Sequence, residues 1–347
     1  MSRQFLPEWH RQWGVLLAWP HEETDWLDNL AEAQACYVEL AHAITRFEHV
    51  LIICLNEDHQ AAIRSALGGR GVDLARVHFE TMQYDDTWAR DFGFITVFDQ
   101  GKPLLLDFKF NAWGGKFESS ADDQINQNLF ARTLFKHNKC EVQPWVLEGG
   151  SIETDGQGTL LTTEYCLLNP NRNPDLSRSD IEAKLTAALG LERILWLSRG
   201  SLEGDDTDAH IDTLARFTDE QTIVYMRCSD VTDSHFDELR AMESELQLMR
   251  QPNGQPYRLV PIDMPVMIES DGRRLGASYV NFLLVNGAVL LPVYGDVEAD
   301  EQAIMAMAKA CPDRAIVPIN CRALIEQNGS LHCITMQIPE EVASRES

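Results

Sequence analysis

The sequence feature that most constrains the fold is an even series of polar residues, each of which interrupts a strand-like apolar run. These residues are Asp91, Glu148, His210, Ser278 with Asn281, and Cys333. Their separations are 57, 62, 68 and 55 residues. Such spacing favours one functional residue per structural module, with the modules arranged around an axis. Because the segments share little sequence with one another, a non-repeating mixed α/β chain stays open as the alternative.

Predicted strands alternate with predicted helices along the whole chain, without linkers or low-complexity segments. Helical spacing of apolar residues marks Asp28 to Phe47, and Ser179 to Leu189 is a helix capped by glycine. Apolar runs predict strands at Asp208 to Phe217, Ala277 to Val285 and Leu331 to Gln337. The chain is therefore expected to be α/β, either as two domains or as one large repeat-built domain.

The balance of charge narrows the class of partner. The chain carries 29 lysines and arginines against 54 aspartates and glutamates, for a net charge of −25. Nucleic acids and anionic membranes require a basic surface, so we expect neither as a partner. A small cationic substrate would be attracted by the negative electrostatic field of such a protein. The N-terminus lacks an apolar signal region and no apolar run is long enough for a bilayer, so we expect a cytoplasmic protein.

Eight cysteines are scattered without a C-x-x-C pair. This pattern argues against a zinc ribbon or a dithiol redox site and favours free thiols. Cys333 differs from the others because it follows a glycine-containing turn at the start of a predicted strand, where a substrate can approach it. In a regular strand His332 would face away from Cys333, so His210 is the candidate general base. The alternative for any buried cysteine is core packing.

Carboxylates near these groups suggest the substrate. In a strand from Asp208 to Phe217, His210 and Asp212 would share one face. Asp91 lies among aromatic side chains, and Glu148 precedes two glycines that allow a close approach. A guanidinium ion is planar and cationic, and two carboxylates can hold it by paired hydrogen bonds. Asp91 and Asp212 would then fix its central carbon for attack by the thiolate of Cys333, with Glu148 orienting His210.

Seven segments together resemble the agmatine deiminase family, which is also described as bacterial peptidyl-arginine deiminase-like. They are residues 84–93 (YDDTWARDFG), 111–116 (NAWGGK), 148–152 (EGGSI), 167–174 (LLNPNRNP), 204–212 (GDDTDAHID), 278–282 (SYVNF) and 332–335 (HCIT). The resemblance extends from about Trp19 to Thr335.

The resemblance implies a five-module, pseudo-fivefold α/β-propeller, the pentein fold, as a single domain over residues 1–347 with a core at about 15–338. It implies a hydrolase acting on C–N bonds in linear amidines, which converts agmatine to N-carbamoylputrescine and ammonia in polyamine metabolism, without cofactor or metal. A homodimer is one expected assembly.

Carried over by position, the resemblance makes Cys333 the nucleophile and His210 the general acid/base. Asp91 and Asp212 become the guanidinium clamp, and Glu148 the partner of His210. Trp88 and Trp113 become walls for the aliphatic part of the substrate.

The sequence departs from the family pattern in segments that shape the pocket. Of the glycine run that usually precedes the His-Cys pair, Gly329 survives, and Asn328 can adopt a positive φ. Phe94 replaces the usual proline after Gly93, and Trp9 to Val15 differs from the common N-terminal pattern. Another guanidino compound or peptidyl-arginine therefore stays open as the substrate.

Three other functions remain at this point. A metal-dependent hydrolase could use Asp206, Asp208, His210 and Asp212 if they face one side of an extended segment. A non-catalytic pentein could serve as a binding module. A thiol amidase could use Cys333 with His210, although it would not need two carboxylates at the substrate.

Overall fold

The computed structural model describes residues 3–343, in which short runs of buried aliphatic residues form most of the strands. The strands are β1 (Gln4–Phe5), β2 (Gln12–Ala18), β3 (His49–Cys54), β4 (Val77–Thr81), β5 (Ile95–Asp99), β6 (Lys102–Lys109), β7 (Lys139–Val146), β8 (Glu153–Thr154), β9 (Thr159–Thr163), β10 (Arg193–Leu197), β11 (Ala215–Asp219), β12 (Thr222–Arg227), β13 (Arg258–Asp263), β14 (Glu269–Ser270), β15 (Arg273–Arg274), β16 (Leu283–Val285), β17 (Ala288–Val293), β18 (Ala315–Asn320) and β19 (Met336–Pro339).

The helices lie between these strands. The α-helices are α1 (Leu30–Ile44), α2 (Glu57–Arg70), α3 (Ala89–Phe92), α4 (Ala112–Gly115), α5 (Ile125–Phe130), α6 (Glu164–Leu167), α7 (Arg178–Leu189), α8 (Phe236–Leu248) and α9 (Val297–Ala310). Short 3-10 helices span Leu27–Asn29, Leu74–Arg76, Asp122–Gln124, Gly149–Ser151, Ile211–Thr213 and Leu324–Gln327. The predicted helices at 28–47 and 179–189 are confirmed as α1 and α7, and α7 begins with a capping box formed by Ser177 and Asp180.

Within residues 3–343, five sheets share one strand pattern. Each contains an antiparallel pair followed by a parallel neighbour, in the orders β5-β6-β7, β8-β9-β10, β11-β12-β13, β16-β17-β18 and β19-β2-β3. β1 and β4 extend two of these sheets, and β14 and β15 form a separate hairpin. The last sheet joins the two ends of the chain, because β19 pairs with β2.

The evenly spaced polar residues occupy equivalent positions relative to these sheets. Each comes shortly before the first strand of its antiparallel pair: Asp91 before β5, Glu148 before β8, His210 before β11, Asn281 before β16 and Cys333 before β19. The spacing in the sequence therefore reflects a repeated strand pattern.

The predicted strand from Asp208 to Phe217 is wrong. Asp208 and Ala209 have positive φ angles of 64° and 65°, a 3-10 turn follows, and β11 begins at Ala215. The carboxylate of Asp205 accepts hydrogen bonds from the backbone N–H groups of Thr207 and Ala209 at 2.9 and 2.6 Å. These local bonds satisfy the backbone in a loop and compete with strand pairing.

Two further predicted strands are shorter than expected. Ala277 to Val285 contributes β16 at its end, and Leu331 to Gln337 contributes the start of β19. Side chains satisfy the backbone ahead of both strands: the Tyr294 hydroxyl accepts a hydrogen bond from the N–H of Ser278, and the side-chain oxygen of Asn281 accepts one from the N–H of His332. The candidate functional residues consequently lie in turns that precede strands.

A large apolar cluster and a smaller one bury most of the sheet faces. Between the sheets lies a fully buried cation, Arg216 on β11. It forms ion pairs with Glu8 and with Glu153 on β8, and it donates to the backbone carbonyl of Phe282. This arginine joins the N-terminal segment to segments of three different sheets. Across residues 3–343, every helix is too short or too polar to traverse a lipid bilayer.

We expect Arg216→Ala to lower the free energy of unfolding by about 3–5 kcal/mol, because Glu8 and Glu153 would keep buried charges without their cation. Urea denaturation measures the change. As a control, Arg178→Ala removes an arginine on α7 whose side chain is 44% exposed and pairs with Glu164 and Glu182. That variant should lose less than about 1 kcal/mol. Equal losses in the two variants would contradict this account of Arg216.

Candidate active site

One cleft gathers residues from several of the turns that precede strands. It is lined by Asp25, Asp86, Trp88, Asp91, Trp113, Phe117, Asp206, Thr207, Gln327, Asn328, Gly329 and Cys333. The cleft therefore contains four of the seven predicted site residues: Trp88, Asp91, Trp113 and Cys333. The remaining three, Glu148, His210 and Asp212, lie buried behind it.

The turn before Cys333 is shaped by two residues of the altered glycine run. Asn328 has a φ of 65°, which confirms the expectation that it adopts the left-handed region. Gly329 packs so closely on Trp88 that a Cβ atom there would lie 2.1 Å from the indole ring. Asn281 holds the other end of the turn, since its side-chain oxygen accepts from the backbone N–H of His332 at 2.9 Å and lies 3.4 Å from the Cys333 sulfur.

The Cys333 thiol is protonated in this environment. Burial raises its pKa well above the ordinary value, and the carboxylates of Asp212 and Asp91 raise it further. A thiolate here would require a nearby positive charge.

Asp91 is fixed at its position by two hydrogen bonds. Its Oδ2 accepts from the indole N–H of Trp113 at 3.0 Å, and its Oδ1 accepts from the backbone N–H of Gly150 at 3.0 Å. Trp113 reaches it from a strained segment, because Ala112 and Trp113 have φ angles of 47° and 55°. Burial raises the pKa of Asp91 well above its usual value, with Asp212 and Glu148 contributing in the same direction.

His210 has both ring nitrogens buried without a hydrogen-bond partner. Its Nδ1 lies 3.6 Å from Oδ1 of Asp91, and Gly150 leaves space for it: a Cβ on Gly150 would be 2.6 Å from Nδ1. Burial lowers the pKa of His210 to about 3, so the imidazole is neutral and can accept a proton.

Glu148 is bound to a cation that the sequence analysis did not select. Arg172 donates from Nε to Glu148 at 2.9 Å and also pairs with Asp208. Glu148 and His210 lie within 4.8 Å of each other but share no hydrogen bond. Arg172 lies in segment 167–174, one of the segments that resemble the family, and that motif is the signal that could have identified this arginine.

Asp212 is bound to a second residue that was missed. The Nδ1 of His332 lies 2.7 Å from Oδ2 of Asp212, and its Nε2 lies 2.6 Å from Oε2 of Glu8. Burial acts to raise the pKa of Asp212, but the hydrogen bond and charge of His332 hold it below the usual value. Because Glu8 is distant in sequence, local spacing could not have linked it to this site.

The alternative of a metal site along an extended segment does not match the structure. Asp206 and Asp208 pair with Lys116, and Asp208 also pairs with Arg172, whereas Asp212 lies within the 3-10 turn Ile211–Thr213. Among the described residues, Glu148, Cys166 and His210 present ligand atoms within 4.8 Å of one another. The guanidinium of Arg172 already neutralises Glu148, and burial raises the pKa of Cys166 well above its usual value. This group is therefore a poor match for a metal cation.

Comparison with known proteins now identifies the family. The sequence profile of the Porphyromonas-type peptidyl-arginine deiminases matches residues 4–339. The chain belongs to this family. The agmatine deiminase of Stutzerimonas stutzeri (strain A1501) is 36% identical, over 96% of this chain and 95% of that protein. Together these relatives make the chain an agmatine deiminase-like enzyme.

Solved structures show that the fold is shared. A protein from Porphyromonas gingivalis superposes with a TM-score of 0.92 at 45% identity, covering 99% of this chain and all of the other. The agmatine deiminase of C. jejuni, solved with substrate bound as a cysteine-to-serine variant, has a TM-score of 0.90 at 37% identity, covering 97% of this chain and 96% of the other. The expected class of fold, a mixed α/β fold of the guanidine-modifying deiminases, is thereby confirmed.

We expect Gly150→Ala to lower deiminase activity about 100-fold, because the new Cβ would displace His210 and Asp91 from their present positions. The overpacking should cost about 1–3 kcal/mol of stability, leaving a folded protein. Steady-state ammonia release and thermal unfolding measure the two effects. The control is Gly69→Ala on α2, where a Cβ would meet nothing within 4 Å. If Gly150→Ala keeps the activity of this control, the packing described here is wrong.

Proposed function

We propose that this protein hydrolyses the guanidinium group of agmatine to N-carbamoylputrescine and ammonia through a covalent intermediate on Cys333. The single observation that carries the proposal is the location of a buried thiol next to two buried carboxylates, Asp91 and Asp212. The curated relative from S. stutzeri and the substrate-bound relative from C. jejuni, both agmatine deiminases, support the choice of substrate.

Asp91 and Asp212 are suited to hold the guanidinium. The protein orients both carboxylates: Gly150 N–H and the Trp113 indole N–H donate to Oδ1 and Oδ2 of Asp91, and Nδ1 of His332 lies 2.7 Å from Oδ2 of Asp212. The other oxygen of Asp212, Oδ1, is buried without a partner. Because a buried acceptor without a donor costs about 1–3 kcal/mol, a guanidinium N–H would find a strong partner there. Trp88 and Trp113 would border the aliphatic chain.

Binding of the cation would activate the nucleophile. The positive charge offsets the carboxylates that hold Cys333 in its thiol form, so the thiol proton can pass to the neutral imidazole of His210. The thiolate then forms a C–S bond to the guanidinium carbon, and the carbon becomes tetrahedral.

The reaction is completed by two proton transfers through His210. The imidazolium returns its proton to the departing nitrogen, the C–N bond breaks, and ammonia leaves a thiouronium on Cys333. Water then loses a proton to His210 and forms a C–O bond at the same carbon. The C–S bond breaks, His210 passes this proton to the sulfur of Cys333, and the proton on the new oxygen passes to ammonia, so the products are N-carbamoylputrescine, an ammonium ion and the free enzyme. Glu148, held by Arg172, lies within 4.8 Å of His210 and would orient the imidazolium once His210 has taken up a proton.

The charge of the cleft favours agmatine over arginine. Asp25, Asp86 and Asp206 line it, and no lysine or arginine is present among the described lining residues. The nearby cation Lys116 is already paired with Asp206 and Asp208. The α-carboxylate of arginine would therefore meet negative charge, whereas the second amine of agmatine would be attracted.

We also propose the larger arrangement in which this site lies. The five sheets of equal pattern would be five modules around one axis, forming a single domain over residues 1–347.

Eight free cysteines suit a reducing compartment, so the cytoplasm is the proposed location. The partner would be a small cation, with no nucleic acid, membrane, metal or cofactor needed, and the assembly a homodimer.

Cys333→Ala should abolish ammonia release from agmatine, because no other group could form the covalent intermediate. The control is Cys311→Ala, which removes another buried thiol outside the cleft and should retain activity. Coupled detection of ammonia measures both variants. Normal turnover by Cys333→Ala would disprove the proposed mechanism.

A substrate comparison tests the role of the acidic cleft. We expect kcat/KM for agmatine to exceed that for free arginine at least about 100-fold, since an unpaired carboxylate near like charges costs several kcal/mol. Arginyl peptides form the third arm because the family is described as peptidyl-arginine deiminases. Faster turnover of arginine or of a peptide than of agmatine would replace agmatine as the proposed substrate.

A further inference from the structure

His332 lies between two carboxylates and contacts both at close range. Its Nδ1 is 2.7 Å from Oδ2 of Asp212, and its Nε2 is 2.6 Å from Oε2 of Glu8. All three side chains are buried. His332 is not among the described residues that line the cleft, and it reaches the proposed guanidinium clamp through its contact with Asp212, so its own function needs an explanation.

The geometry determines the protonation of this imidazole. A carboxylate can accept hydrogen bonds but cannot donate them, so each ring nitrogen of His332 must carry a proton. The alternative is a protonated carboxyl group on one side. Donors on both oxygens of Glu8 oppose that alternative: Arg216 donates to Oε2 at 2.7 Å, and the backbone N–H of Leu284 donates to Oε1 at 2.7 Å. The contacts at both ring nitrogens therefore fit an imidazolium ion at His332.

Glu8 is saturated with donors, which makes it a fixed anion. Its Oε2 receives Arg216 and His332, with Arg90 at 3.5 Å, and its Oε1 accepts from the backbone N–H of Leu284 at 2.7 Å. Burial would raise the pKa of Glu8, but the charges of Arg216 and His332 lower it well below the usual value. This N-terminal residue thus holds its charge without solvent.

We propose that Glu8 and His332 are positioning residues that keep Asp212 ionised and in place for the guanidinium. The proposal rests on the proposed function of Asp212 as half of the clamp. Glu8 holds the second proton on His332, and the resulting positive charge holds Asp212 as an anion. Substrate would then meet one carboxylate that is already charged and has one oxygen free.

The surroundings of Asp212 show why such support is needed. Asp91 acts on it from another segment, and burial together with the charges of Asp212 and Glu148 raises the pKa of Asp91 well above normal. His210 is neutral, and Arg216 lowers the pKa of Asp212 less than His332 does. Without the charge of His332, Asp212 would resemble Asp91 and bind a proton. A guanidinium would then have to displace protons from both carboxylates.

The test uses Glu8→Gln, which keeps an oxygen acceptor but removes the charge. In ¹⁵N-histidine-labelled full-length protein, the NMR signals of His332 are identified by their loss in His332→Gln. We expect both ring nitrogens of His332 to carry a proton at neutral pH in the unsubstituted protein, and one of them to lack its proton in Glu8→Gln under the same conditions. This measurement needs no substrate, so it remains informative even if agmatine is not turned over.

The kinetic arm compares Glu8→Gln with Glu48→Gln. Glu48 is a buried glutamate that likewise accepts a backbone N–H, from Asn286, and burial raises its pKa to about 8, so an amide replaces a largely neutral group. We expect KM for agmatine to rise at least about tenfold in Glu8→Gln, the equivalent of one pKa unit on Asp212, with a smaller change in kcat. The control should keep the original KM.

Three outcomes overturn the proposal. His332 could carry a single ring proton in the unsubstituted protein, or it could keep both ring protons in Glu8→Gln. His332 could also lose its charge in that variant without any rise in KM. Failure of the unsubstituted protein to act on agmatine would instead reject the proposed function, and the NMR result would still decide the state of His332.

Discussion

The structure depends on a chain of alternating charges that crosses the interior from the N-terminal segment to the site. Arg216, Glu8, His332 and Asp212 follow one another through contacts of 2.6 to 2.7 Å. Each ion would be costly to bury alone, and each is stabilised by opposite charges on both sides or by additional hydrogen bonds. Because these four residues come from distant segments, their row of contacts connects several sheets and also influences the charge at the cleft.

Two carboxylates of one chemical type have pKa values shifted in opposite directions in this framework. The hydrogen bond and charge of His332 lower the pKa of Asp212 despite its burial, whereas burial and the charges of Asp212 and Glu148 raise the pKa of Asp91. The neighbouring Cys333 remains a thiol for the same reason, namely burial among acids. A single bound cation would favour the ionised forms of these groups, which is the change that the proposed mechanism requires.

Much of the architecture was accessible from the sequence because the site residues occur in turns just before strands, where the chain changes from polar to apolar. The spacing of Asp91, Glu148, His210 and Cys333 reflects that repeated position. The helices α1 and α7 were also predictable, since the apolar spacing of α1 and the caps of α7 are local signals. The predicted strand at 208–217 failed because Asp205 provides backbone hydrogen bonds that favour a loop, a competition that periodicity does not detect.

The sequence by itself determined the order of strands and helices, the repeated position of the reactive residues and the kind of chemistry those residues can perform. Only the tertiary structure decided which charges meet. Glu8 and His332 are 324 residues apart, and Arg172 reaches Glu148 from a different turn. Protonation depends on burial and on neighbours within a few ångströms, and for residues this distant in the chain those neighbours are set by the packing of the sheets.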